Sequence, residues 1–208
     1  MQKITRQDVK TLQEYEPHRD RLRREVIELK KARRISVGDC VTMVFENRQT
    51  VIHQIQEMMR AEHLYDEASI QHEIDTYNRL IPGDGELSAT LFIEIADADQ
   101  IKPTLDRLRG LDQGPCVRLL VDEETAIPGM FEAGHSSEEK ISAVHYVRFR
   151  LDARAQALLR RAPSPKLVID HPQYRAEAPI REETRQELLR DLGLSGTPVE
   201  ASAHGQSV

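Results

Sequence analysis

A regular alternation of apolar and polar residues in short segments constrains the fold of this chain more than any other feature of its sequence. The alternation is clearest over residues 87–95 (LSATLFIEI), where every second residue from Leu87 onward is apolar. Successive side chains of a β-strand point to opposite faces, so such a strand has one face in a core and the other toward water. The pattern therefore predicts a largely antiparallel sheet with helices packed on one face.

The other segments complete an α+β fold, because stretches with helical periodicity alternate with the strand patterns. A chain of 208 residues is long enough to bury a core as one domain, which we place at residues 1–194. Residues 195–208 are small and polar and are predicted to be disordered, and the acidic connection 123–141 is predicted to be mobile. The predicted strands are 41–46, 87–95, 116–122, 141–151 and 167–170, and the predicted helices are 17–33, 48–62, 67–81, 97–111, 153–161 and 181–192.

Strand parity divides the sheet residues into two faces. The face predicted to pack against the helices contains Met43, Phe45, Leu91, Ile93, Leu119, Val147 and Phe149. The face predicted to be open contains Glu46, Thr90, Glu94, Arg118, Tyr146, Arg148 and Arg150.

Composition and charge exclude several functions. A net charge of −6, an aromatic content of 4% and the absence of Trp disfavour nucleic acid as a partner. The basic residues of helix 17–33 are interpreted as a solvated face. No segment resembles a signal peptide or approaches the roughly 18 apolar residues of a membrane span, so we expect a cytoplasmic protein without membrane contact. Cys40 and Cys116 are far apart in the sequence and are interpreted as ordinary buried thiols.

The sequence contains no recognisable pattern of metal ligands. His53 and Glu57 have the i, i+4 spacing of a metal-binding helix face, but the helical wheel places them opposite the apolar stripe that contains Ile55, toward solvent. His72 points away from the apolar stripe of helix 67–81 in the same way. We therefore predict no metal and no cofactor.

Arg48 and Glu62 are charged residues that the helical wheel places on the apolar stripe of helix 48–62. Arg48 also lies at the helix N-terminus, where the helix dipole disfavours a cation. We expect Arg48 to be mostly buried, with a salt-bridge partner among Glu46, Glu62, Glu86 and Glu94. Two interpretations stay open: an ion pair that fixes the helix on the sheet, or a site for an anion or substrate.

Two further polar residues fall on apolar faces. His145 has the apolar parity of its strand and is either a hydrogen-bonded core histidine or, beside Tyr146 and Arg148, a proton carrier or ligand with a shifted pKa. Asn78 projects on the apolar side of its helix and needs a buried partner.

Three stretches resemble an uncharacterised bacterial family known as domain of unknown function 3501: residues 45–62 (FENRQTVIHQIQEMMRAE), 73–95 (EIDTYNRLIPGDGELSATLFIEI) and 143–149 (AVHYVRF). The resemblance implies a genomic setting, since members are commonly encoded beside a rubrerythrin-like di-iron protein and an iron–sulfur protein similar to heterodisulfide reductase subunits. That setting suggests redox or peroxide stress. The motif positions that the resemblance implies are Glu46, Asn47, Arg48, Gln54, Glu57, Arg60, Glu62, Tyr77, Asn78, Pro82, Gly85, Glu86, Leu87, Ser88, Tyr146 and Arg148.

Two functions from different classes are expected. The resemblance implies a cofactor-free accessory or docking partner of a rubrerythrin-like protein and an iron–sulfur oxidoreductase. The charged and aromatic residues indicate, as the alternative, an anion-binding protein or a cofactor-free enzyme. The oligomeric state stays open. The candidate site residues are Glu46, Asn47, Arg48, Glu62, Tyr77, Asn78, Glu86, Ser88, His145, Tyr146 and Arg148.

Overall fold

The structure, a computed structural model, describes residues 1–132, 134 and 141–194. Within these residues, eight antiparallel strands form one sheet in the order β1-β2-β3-β6-β5-β4-β7-β8. The strands are β1 (Arg34–Val37), β2 (Val41–Glu46), β3 (Glu86–Ile93), β4 (Val117–Leu120), β5 (Ala126–Phe131), β6 (Val144–Arg150), β7 (Lys166–His171) and β8 (Tyr174–Pro179). The helices are α1 (Leu12–Tyr15), α2 (Arg19–Arg33), α3 (Arg48–Ala61), α4 (Glu67–Tyr77), α5 (Ile101–Arg107), α6 (Ala153–Arg161) and α7 (Glu182–Asp191).

The sheet curls until its two edge strands meet. The hydroxyl of Tyr174 in β8 donates a hydrogen bond of 2.6 Å to the backbone carbonyl of Val37 in β1. Inward-facing residues of all eight strands form one buried cluster, to which α6 contributes Leu159 and α7 contributes Leu188. The predicted packed face is confirmed, because all its members lie in this cluster: Met43, Phe45, Leu91, Ile93, Leu119, Val147 and Phe149.

Helices α3 and α4 cover part of the outer face of the sheet. Their apolar stripes form a second buried cluster, which includes Ile55 and Ile74 and is extended by Ile4 from the amino-terminal segment. The α+β class and the antiparallel sheet are confirmed. The outer face is less open than the alternation predicts, because Glu46 and Thr90 are only 2% and 3% exposed beneath these helices.

Strand 41–46 and helix 153–161 begin and end where they are predicted. Strands β1, β5 and β8 were not predicted. Strand β5 falls in the connection 123–141, where Pro128 and Gly129 interrupt a strand pattern. Gly129 is needed there, because a Cβ atom at this position would lie 2.8 Å from Cγ1 of Val147. Residues 133 and 135–140, and the segment 195–208 that was predicted to be disordered, lie outside the described residues.

A buried ion pair joins α2 to α7. The side chain of Arg33 is 1% exposed and donates hydrogen bonds of 2.6 and 2.9 Å to Asp191 and of 2.8 Å to Glu187. Burial raises the pKa of Asp191, although Arg33 acts in the opposite direction. The guanidinium of Arg33 therefore bridges the two helices.

None of the helices in the part of the chain that the structure describes combines the length and the apolar character needed to cross a lipid bilayer.

Candidate functional site

Polar side chains form rows across the outer face of β3 and β6. The strand register pairs Glu86 with Arg150 and Ser88 with Arg148, and it pairs Thr90 with Tyr146. Because these residues alternate along their strands, their side chains project to the same side. A cavity of about 480 Å³, which we call the outer cleft, lies over these rows. The outer cleft is lined by Lys3, Arg79, Leu80, Glu86, Ser88, Met130, Phe131, Glu132, Tyr146, Arg148 and Arg150.

Glu86 is the centre of an ion-pair network in the outer cleft. Its carboxylate accepts hydrogen bonds of 2.8 and 3.2 Å from Arg150, of 3.1 Å from Arg148 and of 3.1 Å from the backbone N–H of Gly83. Burial alone would raise the pKa of Glu86, but these donors outweigh it and lower the pKa. Glu86 is therefore an ionised acceptor that fixes both arginines.

The basic side chains of the outer cleft outnumber the acidic ones. Four of the lining residues are basic, whereas only Glu86 and Glu132 are acidic. Burial and the nearby charge of Arg148 lower the pKa of Lys3, whose ammonium donates hydrogen bonds of 2.6 and 3.2 Å to the carbonyls of Asn78 and Ile81. The cleft therefore has a local surplus of positive charge in a chain whose net charge is negative.

A smaller cavity of about 370 Å³ continues the outer cleft toward Tyr77, and it shares Arg79, Leu80, Glu132 and Tyr146 with the larger one. Burial raises the pKa values of both Tyr77 and Tyr146. A hydrogen bond with the side chain of Gln54 acts in the opposite direction on Tyr77 without reversing the shift, and negative neighbours, among them Glu46 for Tyr146, raise both values further. Both phenols are consequently protonated at neutral pH. The aromatic end of the cleft therefore presents hydroxyl groups that are able to donate hydrogen bonds.

Glu46 lies on the same outer face but is enclosed beneath α3. Its carboxylate accepts hydrogen bonds from the hydroxyls of Thr50, at 2.5 Å, and Thr90, at 2.7 Å. Among the described residues no cationic nitrogen lies within 4.0 Å of this carboxylate. Glu46 is thus a buried acid that two hydroxyls solvate.

The prediction that Arg48 pairs with Glu46, Glu62, Glu86 or Glu94 is wrong, and its side chain is less buried than predicted. The side chain of Arg48 is 37% exposed and forms its salt bridge with Asp8, at 2.5 Å. Asp8 belongs to the amino-terminal segment, which packs across α3 and α4, so no local sequence pattern indicated its pairing with Arg48. A carboxylate does offset the cation at this helix N-terminus, as expected, but it comes from 40 residues earlier in the chain.

Asn47 and Glu62 mark the two ends of α3 and do not line the outer cleft. The side chain of Asn47 accepts a hydrogen bond of 3.0 Å from the N–H of Thr50, and the hydroxyl oxygen of Thr50 accepts one of 2.9 Å from the N–H of Asn47, which is a capping box. Glu62 is an exposed C-cap and is not buried on the apolar stripe as the wheel predicted. Both residues therefore cap the ends of α3 and do not belong to the outer cleft.

Asn78 has the buried partner that its position requires. Its side-chain amide exchanges two hydrogen bonds of 2.8 Å with the backbone N–H and carbonyl of Ile4. These bonds fix the amino-terminal segment beside the outer cleft, and this segment contributes Lys3. Asn78 therefore contributes to the cleft indirectly, by holding the segment that contains Lys3.

His145 lies on the opposite face from the outer cleft, inside the curled sheet. Its side chain is fully buried, Nε2 lies 2.8 Å from the carbonyl of Ser142, and the ring packs edge-on against Phe131. Asp112 lies 3.9 Å from Nδ1. The interpretation as a hydrogen-bonded core histidine agrees with this position, and a role beside Tyr146 and Arg148 does not.

From the predicted set, the outer cleft contains Glu86, Ser88, Tyr146 and Arg148, and the smaller cavity adds Tyr77. Glu46 and Asn78 line neither cavity. Sequence reasoning did not single out Lys3, Arg79 or Glu132. Arg79 directly follows Asn78, but a basic residue at the end of a helix is common and does not indicate a site. Lys3 and Glu132 are distant from β3 and α4 in the sequence and reach the site only through tertiary contacts.

A second polar cluster lies between α3 and the amino-terminal helices. His53 and Glu57, which were predicted to face solvent, are half-buried there. Arg19 donates hydrogen bonds of 2.9 and 2.7 Å to Glu57, and the hydroxyl of Tyr15 donates one of 2.8 Å. Nδ1 of His53 lies 3.3 Å from the same hydroxyl. The prediction that His53 and Glu57 are exposed to solvent is wrong, because α1 and α2 cover this side of α3.

The described residues contain no group of three or more His, Cys, Asp or Glu side chains placed to hold a metal ion.

Comparison with known proteins identifies the family of this chain. The model of the family described as protein of unknown function (DUF3501) matches residues 3–192. No curated protein matches the chain. The crystal structure of a novel protein of unknown function from Burkholderia pseudomallei K96243 is similar, with a TM-score of 0.85 and 33% sequence identity over 92% of this chain and 100% of that chain. The resemblance of the sequence motifs is therefore confirmed, and the chain belongs to the DUF3501 family of proteins of unknown function.

Proposed function

We propose that this protein binds a small organic anion, with a carboxylate or phosphate group, in the outer cleft. The observation that carries the proposal is the excess of basic over acidic side chains around one cavity. Glu86 offsets only part of the charge of Arg148 and Arg150, and the side chain of Arg150 is 74% exposed. Guanidinium groups present paired N–H donors that match a carboxylate or a phosphate.

The arrangement of the cleft also defines the shape of the ligand. Tyr146 and Arg148 are two positions apart on β6, so their backbone positions are about 7 Å apart. An anionic group at Arg148 therefore leaves the other end of the ligand beside the phenols of Tyr77 and Tyr146. We infer a ligand that carries an acidic group at one end and an oxygen that accepts a hydrogen bond at the other.

The experiment is a thermal-unfolding screen with two sets of compounds, small hydroxy or keto carboxylates and the phosphate esters of similar size. A ligand at 100 times its Kd stabilises the folded state by about 2.7 kcal/mol. That is a rise of about 5 to 10 °C in Tm for a protein of this size. The set that raises Tm identifies the acidic group, and titration calorimetry of the best compound gives its Kd.

Arg118 provides a matched control for Arg148. Both arginines project from the outer face of the sheet and form a salt bridge of 3.1 Å with a carboxylate, Asp170 in the case of Arg118. We expect Arg148→Met to abolish the ligand-induced rise in Tm and Arg118→Met to retain it. Equal loss in both variants, or a lack of stabilisation by every compound in both sets, would contradict the proposal.

Association with a rubrerythrin-like protein and an iron–sulfur oxidoreductase is a second proposal, which rests on the family resemblance alone. Co-expression of the three proteins followed by co-purification tests it. Recovery of each protein alone, without a complex, would contradict it and would leave the proposal of anion binding unaffected.

A further inference from the structure

We propose that the pocket between α2 and α3 is a second binding site, in which Nε2 of His53 accepts a hydrogen bond from a small apolar molecule that carries one hydroxyl group. The pocket has a volume of about 120 Å³. None of its lining residues lines the outer cleft, so the two sites are separate.

The tautomer of His53 follows from its neighbours. Arg19 is the main cause that lowers the pKa of Glu57 to about 2, so Glu57 is an ionised group that only accepts hydrogen bonds. Burial and Glu57 raise the pKa of Tyr15, which therefore keeps its one hydroxyl proton and donates it to Glu57 at 2.8 Å. The oxygen of Tyr15 is then the acceptor for Nδ1–H of His53, at 3.3 Å. This arrangement places the lone pair of the ring on Nε2.

Nε2 is available to a ligand. The bond to Tyr15 is the one hydrogen bond that His53 forms among the described residues. Burial lowers the pKa of His53, and Lys30, Arg19 and Arg23 lower it further against the effect of Glu57, so the ring is neutral at pH 7. A neutral imidazole with a fixed tautomer accepts a hydrogen bond at Nε2 and donates none there.

The pocket determines the rest of the ligand. The surface inside the pocket is mostly apolar, with walls from Leu22, Val26, Ile52 and the ring of Tyr15. Polar side chains complete the lining: Asp8, Lys10, Glu25, Gln49, His53 and Gln56. Its volume is close to that of an apolar cavity of about 150 Å³ that binds benzene. One six-membered ring or a short alkyl chain therefore fits, and a single hydroxyl group is able to donate to Nε2. Small phenols and alcohols are the class of ligand that these features select.

The test uses phenol as the probe and NMR spectroscopy of the full chain at pH 7.5. Long-range proton–nitrogen correlations of the imidazole report the tautomer, and we expect His53 to carry its proton on Nδ1. We expect phenol at millimolar concentration to shift the resonances of His53, Leu22 and Ile52. A proton on Nε2 would overturn the proposal. Unchanged resonances at these residues with phenol at about 20 mM, a concentration above the Kd of even a weak ligand in the millimolar range, would overturn it as well.

Variants separate the hydrogen bond from the apolar pocket. His53→Phe keeps a ring in place but removes the acceptor, so we expect phenol to bind roughly tenfold more weakly while benzene binds as before. Leu22→Trp fills the pocket and is expected to abolish the binding of both probes. His72→Phe, which changes an exposed histidine on α4, is the control and is expected to leave both affinities unchanged. Phenol binding that His53→Phe leaves unaltered would overturn the assigned role of Nε2.

Discussion

The side-chain amide of Asn78 and the backbone of Ile4 exchange two hydrogen bonds of 2.8 Å across 74 positions of sequence. These bonds fix the amino-terminal segment to the end of α4, and Lys3 reaches the outer cleft from this segment. We predict that Asn78→Ala lowers the free energy of unfolding by about 2 kcal/mol, as expected for two hydrogen bonds of about 1 kcal/mol each. Urea denaturation measures this change.

The same variant is expected to raise the rate of amide hydrogen exchange in residues 1–9 without changing exchange in β3. Gln71→Ala, which removes a hydrogen bond to Asp75 on the exposed side of the same helix, is the control. Unchanged exchange at Ile4 in Asn78→Ala would show that the segment is fixed by its apolar contacts alone.

Arg33→Met is predicted to destabilise the protein strongly. The substitution leaves Asp191 and Glu187 without their buried cation, and loss of one partner of a buried ion pair costs about 3–5 kcal/mol. Arg190→Met is the matched control, because Arg190 also pairs with Glu187 but is 59% exposed, and exposed pairs contribute about 0–1 kcal/mol. Denaturant unfolding measures the loss of stability in both variants. Similar losses in the two would contradict the argument that burial makes the contribution of Arg33 the larger one.

Glu57 is predicted to make stability depend on pH in the acid range. Its pKa is about 2 in the folded protein, mainly because of Arg19, against an ordinary value of 4.5. A lowered folded-state pKa means that the carboxylate stabilises the protein fully above pH 4.5, and that this contribution is lost as the pH falls toward 2. The difference in unfolding free energy between the wild type and Glu57→Gln is therefore expected to shrink across this range. A difference that stays constant from pH 6 to pH 2.5 would refute it, and Glu28→Gln, at an exposed carboxylate of α2, serves as the control.

Gly129→Ala is predicted to lower the free energy of unfolding by about 1–3 kcal/mol, because overpacking of a core has this cost. The new methyl group would lie 2.8 Å from Cγ1 of Val147 and 3.1 Å from the carbonyl oxygen of Val117. In a double-mutant cycle, Val147→Ala should recover part of the loss, since it removes the nearest atom. Additive effects of the two substitutions would place the strain elsewhere.

The sequence predicted those parts of the fold that depend on local periodicity. Val147 and Phe149 were assigned to the core by parity alone, and α6 was predicted with its observed ends. Strand β5 was missed because it contains a proline and a glycine, which are uncommon inside strands, and the close approach of β6 that requires Gly129 is not visible in the sequence.

The prediction for the site was partial for a related reason. Parity and the family motifs both indicated Tyr146 and Arg148, whereas Glu86, which lay outside the predicted strand 87–95, was indicated by the family motifs and as a possible partner of Arg48. The partner of Arg48 was not predictable, since a helical wheel gives the direction of a side chain but not the segment that packs against it. Asp8 and Lys3 belong to a segment that follows no sheet register, so their positions are fixed only by tertiary contacts.

The contact between Tyr174 and Val37 joins strands that are 137 residues apart in the chain. During synthesis on the ribosome, β1 is complete long before β8 emerges, so one edge of the growing sheet has no neighbour for most of that time. An unpaired edge is a template for association with other chains. The order of synthesis therefore makes closure of the sheet a late step in folding, and incomplete chains that end before β8 are the species most exposed to aggregation.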